Sequence, residues 1–205
     1  MRKFPLRDLD EARRDPVAYR HKLDYPSDSV QRPTYFNALR DAILKFHKTK
    51  DVVQARAYLE DRLTRFTNVE RCKEILAQFE WYAAECVGRE WPTFETRLRV
   101  VVPLPARAPD DIICSGEVSR VDLIPSVSGY AAWLMRQRGA EEWFDTLHMP
   151  LIQDAVARQM GAPISEVHVG VYSFAERMVE LRSYEPQEIA QAYSELDTLF
   201  ESMGF

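Results

Sequence analysis

Residues 114–123 (Cys114-Ser115-Gly116-Glu117-Val118-Ser119-Arg120-Val121-Asp122-Leu123) alternate apolar and polar side chains, as a half-buried strand does. A turn-rich connector over 125–129 follows, then a second β-like run over 130–136, so the two read as a hairpin. Upstream the period changes to three and four. Asp8 or Asp10 is placed to cap a short helix limited by Pro16, a second short helix covers 17–23, and 24–33 is a loop. Phe36, Leu39, Ile43 and Leu44 then mark a long helix. Asp51 opens another, with Ala55, Leu59 and Leu63 on one side, and Asn68 opens a third through Cys72, Ile75, Phe79 and Tyr82.

Residues 93–102 return to alternation and β-branched side chains, which predicts a strand. Residues 141–160 carry a helical stripe that Pro150 must kink or divide. Two strands over 167–174 and 178–184 and a terminal helix from Pro186 to about residue 202 complete the chain. The fold class is α/β (α+β): a central mixed sheet of about five strands flanked by helices, read as one domain over 1–205. Residues 1–90 are its mainly helical layer and 91–205 its sheet-bearing core.

Composition narrows the function. The 205 residues carry 27 Lys and Arg against 32 Asp and Glu, a formal charge of −5, so nucleic-acid contact needs a local basic patch. No apolar run approaches a membrane span, and the N-terminus lacks a secretion-signal core, which points to the cytoplasm. Cys72, Cys86 and Cys114 lie far apart, without the paired spacing of a zinc or iron–sulfur site.

The order of elements, with Gly116-Glu117-Val118-Ser119-Arg120-Val121-Asp122, residues 149–157 around Gln153, and Glu166-Val167-His168-Val169-Gly170-Val171-Tyr172, resembles the PD-(D/E)XK nucleases. Within them it is most similar to RecB-type and CRISPR-adaptation-type exonucleases. The resemblance implies a restriction-endonuclease-like core and phosphodiester hydrolysis with Mg²⁺ or Mn²⁺ held by carboxylates, aided by a lysine. It also shows where this sequence departs. The metal carboxylate falls on Ser119, the Asp-x-Lys triplet on Leu134-Met135-Arg136, and the helical histidine on Asn37. Asp15 replaces the cysteine that precedes proline in members with an iron–sulfur cluster.

Losing one placed catalytic group commonly costs ~10² in rate, and losing the metal removes the mechanism. The site therefore reads as degenerate, with no resident metal or cofactor. Glu95, Glu117, Asp122 and Gln153 are the residues a migrated Mg²⁺ or Mn²⁺ site would use. Arg97, Arg99, Arg120, Arg136 and Arg138 are candidate nucleic-acid contacts, although Arg120 and Arg136 are read first as partners of Glu95, Glu117 and Asp122 inside the former metal pocket. His148 and His168 read as helix-end and strand residues, and Trp81, Tyr82 and Trp133 as core. Three functions follow: a non-catalytic subunit of a nucleic-acid-processing or defence complex, with protein partners; a divergent metal nuclease; and a module that binds DNA or RNA without cutting.

Overall fold

A computed structural model describes residues 2–25, 34–106, 108–126, 129–137 and 143–205. Seven helices are present: α1 Leu9–Arg14, α2 Pro16–Asp24, α3 Tyr35–Thr49, α4 Val52–Leu63, α5 Val69–Arg89, α6 His148–Met160 and α7 Pro186–Ser202. Their starts follow local chemistry. Asp15, Thr34, Asp51 and Asn68 each accept a hydrogen bond from the first-turn N–H of the helix they precede. Pro150 sits in the first turn of α6, where no helical N–H partner is lost, so it begins the helix instead of kinking it; residues 143–145 form a separate 3₁₀ turn.

Six strands form the sheet: β1 Arg2–Pro5, β2 Thr93–Val102, β3 Ile112–Ile124, β4 Gly129–Arg136, β5 Val167–Ser173 and β6 Met178–Arg182. The sheet is mixed. β3–β4 and β5–β6 are antiparallel, while α6 bridges the parallel pair β4–β5. The sequence pattern omits β1, because four residues ending in proline carry no periodic signal. It is a strand only through its parallel register with β3, from Arg2 opposite Ile112 to Pro5 opposite Ser115.

Helices cover both faces. The α3–α5 layer packs Leu39, Ile43, Leu59 and Phe79 onto Trp133, Tyr172 and Phe174. On the other face Leu9 and Tyr19 join Leu151, Leu196 and Phe200. The expected N-terminal helical layer is thus divided, since α1 and α2 pack with α6 and α7.

β3 organises the functional face because three strands pair with it. β2 runs along it from Thr93 opposite Asp122 to Val102 opposite Cys114. The other edge of β3 is shared: β1 takes residues 112–115, and β4 takes 120–124. Residues 116–119 are left between the ends of β1 and β4, and Leu134–Arg136 of β4 run on with a partner only in β5. The sheet is forked there. Gly116 leaves room for Leu6 at the fork, since a Cβ there would stand 2.9 Å from Leu6 Cδ1 and 3.1 Å from its Cβ.

Candidate functional site

A cavity of about 620 Å³ fills the fork. Ser119, Leu134 and Arg136 all line it, so three positions that the motif pattern marks do come together. Arg7, Arg40, Arg97 and Glu117 line it as well. Four arginines therefore face one carboxylate, and that carboxylate is engaged. Arg40 meets Glu117 Oε1 at 2.7 Å, and Arg97 meets Oε2 at 3.1 Å. Arg97 reaches it from a left-handed backbone, φ +59°, an unusual state for a non-glycine residue inside a strand.

Arg136 is held differently. Its guanidinium donates to His148 Nε2 at 2.9 Å, and His148 Nδ1 lies 2.7 Å from Asp10, whose other oxygen accepts the Leu147 N–H at 2.9 Å. A donor on Nε2 fixes His148 with its proton on Nδ1. Burial lowers Asp10's ionisation less than it would alone: it favours the neutral acid, but His148 and the Leu147 N–H outweigh it and hold the carboxyl below its ordinary range. Burial likewise pulls Arg136 below its ordinary value, with Asp10 and Tyr184 opposing. Arg136 is thus a half-buried cation oriented by an imidazole, with no carboxylate of the described residues in direct contact.

A hard dication takes several oxygen ligands. The cleft offers Glu117, shared by two guanidiniums, and the hydroxyls of Ser115 and Ser119. Among the described residues no group of three or more His, Cys, Asp or Glu side chains is placed to hold a metal. These donors do not fit Mg²⁺ or Mn²⁺.

The remaining candidates lie elsewhere. Arg120 and Asp122 form an ion pair of 2.6 Å, each 2 % exposed, against the α3–α5 layer. Arg120 also bonds His47, Tyr82, Cys86 and Tyr172, and Asp122 accepts the Trp133 N–H at 2.9 Å. Arg120 thus pairs with Asp122, the kind of partner read first for it, and neither residue lines the cleft, although Ser119 immediately before Arg120 does. Glu95 is exposed and turns back to the Thr96 N–H at 3.0 Å. Gln153 is fully buried and spent on Ile164 O, Ser183 Oγ and both backbone groups of Tyr184. Asn37 is an exposed first-turn residue of α3, and Phe36 and Arg40 of that helix reach the cleft instead. Arg99 stands exposed on β2, His168 is half-buried on β5, and Arg138 lies outside the described residues.

Arg7 and Arg40 are contributors that the strand motifs give no reason to select. The Phe36–Arg40 spacing of one helical turn is their only local signal.

The buried cluster makes a pH prediction. Burial, then the charges of Arg120 and Lys50, lower His47 from 6.5 to about 3. From pH 6.5 down to about 3 the unfolded chain binds a proton that the folded chain refuses. Stability is therefore full above that window and falls as pH drops through it, by about 1.4 kcal/mol per unit from this group. Urea unfolding at pH 7 and pH 4.5 is expected to show a gap that shrinks by about 2 kcal/mol in His47→Gln. An unchanged gap would show that His47 is protonated in the fold.

No family model matches the sequence, and no curated protein matches it. Among solved structures, the chain is similar to a "putative exonuclease" from Eubacterium rectale, at 9% identity and TM-score 0.51, over 86% of this chain and 70% of that one. A second solved structure, SSO0001, aligns at 6% identity over 95% of this chain and 84% of that one, and its TM-score of 0.35 carries no argument. The first likeness is one of fold alone: among the described residues, seven α-helices about a mixed sheet share the arrangement of that protein. Among the described residues no helix is long and apolar enough to cross a membrane.

Proposed function

We propose that this protein is a nuclease-fold protein of the RecB-type and CRISPR-adaptation-type group that does not cut. It acts as a non-catalytic accessory or structural subunit of a cytoplasmic nucleic-acid-processing or defence complex, as one domain over 1–205. The observation that carries this reading is the charge of the fork. Four arginines surround a single carboxylate already bound to two of them, where a divalent ion would need free oxygens. The net charge of −5 favours protein partners over free nucleic acid.

The test is digestion of single- and double-stranded DNA and of RNA with chelator, Mg²⁺ or Mn²⁺. No cleavage is expected under any condition, and calorimetric titration with Mn²⁺ is expected to give no heat of binding. Mn²⁺-dependent cutting abolished by Glu117→Ala would establish the divergent nuclease instead.

One observation favours a second reading, a module that holds nucleic acid without cutting it. Arg97 and Arg136 share the cavity, and Arg99 stands exposed on the same strand as Arg97. Gel shifts that weaken steeply with salt would mark it.

A further inference from the structure

Glu117 is the one acidic side chain among the described residues lining the cleft, and two guanidiniums close on it from different elements, Arg40 from α3 and Arg97 from β2. We propose that Glu117 occupies the seat of an exchangeable anion. A terminal phosphate enters the fork by displacing Glu117 from Arg40 and Arg97, with Arg136 as the fixed anchor. This deepens the reading of the cleft as a metal-free site and rests on it.

The exchange follows from how the charges are held. Arg40, Arg97 and Glu117 are 35%, 59% and 31% exposed, so the clamp sits in a well-hydrated setting where an ion pair contributes little and a competing anion opens it readily. Arg136 is more buried, is oriented by the His148–Asp10 line, and keeps guanidinium N–H groups beyond the one given to His148. A phosphomonoester brings close to two negative charges and three terminal oxygens, which suits three guanidiniums that line one cavity; an internal phosphodiester brings one charge and two free oxygens. The cavity, about 620 Å³, has room for more than a phosphate. Phe36, Leu134, Met135 and Ile152 line it beside the arginines, an apolar surface for the group that carries the phosphate. A nucleotide and the phosphorylated end of a strand share this chemistry.

Calorimetric titrations in chelator at low salt decide the proposal, using inorganic phosphate, adenosine monophosphate, and one oligonucleotide with and without a 5′-phosphate. The wild type is expected to bind the phosphorylated probes and to prefer the phosphorylated oligonucleotide to its hydroxyl twin. Glu117→Gln, which keeps the shape and removes the competing charge, is expected to tighten binding about tenfold, and Arg136→Gln to weaken it about tenfold or more. If Glu117→Gln lowers the melting temperature enough to obscure the titration, Glu117→Asp replaces it: the shorter carboxylate cannot span both arginines, and binding again tightens. The strongest binding by adenosine monophosphate assigns a free nucleotide, and by the oligonucleotide a strand end. Equal affinity for the phosphorylated and hydroxyl twins, no binding of any probe, or no tightening when Glu117 is neutralised or retracted overturns the proposal. Metal-dependent cutting in the digestion assay would overturn the non-catalytic reading by itself, whatever these metal-free titrations give.

Discussion

Asp122→Ala is expected to destabilise the fold by about 3–5 kcal/mol, because it leaves a guanidinium buried without its counter-charge. Arg120 is 2% exposed, and the other groups around it are neutral: the hydroxyls of Tyr82 and Tyr172, the Cys86 thiol and the His47 ring. Burial pushes the Asp122 carboxyl above the usual carboxylate range, toward its neutral form, and Arg120 is the main opposing influence that holds it charged. The same change frees the Trp133 N–H, whose acceptor is Asp122. Chemical unfolding in urea measures the loss. Arg120→Met combined with Asp122→Asn removes both charges and keeps an acceptor for Trp133, so the pair of changes should cost less than Asp122→Ala alone. If the double variant is the less stable of the two, the charges are not what matters at that position.

Gly170→Ala is expected to cost about 3 kcal/mol, at the upper end for overpacking a core. Gly170 lies opposite Trp133 in the register of β4 with β5, and a methyl group there would stand 2.6 Å from the Glu180 carbonyl oxygen and 2.7 Å from the Trp133 ring carbon Cε3. Neither neighbour is free to retreat. The carbonyl belongs to β6, and the fully buried indole is fixed by its bond to Asp122. A melting temperature lower by about 6–12 °C would report this in a chain of this size. An unchanged midpoint would mean that β6 can shift away from β5.

The strands and helices were legible in the sequence wherever a period ran for several residues. Residues 93–102 alternate and form β2 over that span, and the alternation at 114–123 lies within β3. The stripe from Phe36 to Phe46 became the inner face of α3. What periodicity cannot reveal is how one strand divides its edge between two partners. β1 has too few residues to show a pattern, yet its end sets one side of the fork. Ser119, Leu134 and Arg136, which line one cavity, were marked in the sequence by the resemblance to nuclease motifs and not by any period. Arg40 was not, since it meets Glu117 across 77 residues of sequence and only the packing of α3 on the sheet brings them together. Asp122 shows the other side of the same limit. Its place in the motif suggested a ligand, whereas the pleat directs it to Arg120 and Trp133.

Because β1 joins β3 through only four register pairs between residues about 110 apart, one wall of the cleft depends on contacts of very long sequence separation. So short a ribbon has few backbone bonds of its own, and fully buried Phe4 holds it against Tyr19 and Phe200. Its tethers are the Arg2 N–H to the Asp111 carbonyl at 2.6 Å and the Arg2 side chain to Asp24 and Asp111. Amide hydrogens of residues 2–4 should accordingly exchange with solvent faster than those of β4 and β5. Loosening of that ribbon would reach the cleft directly, since Pro5 at its end and Leu6 beyond it line the cavity.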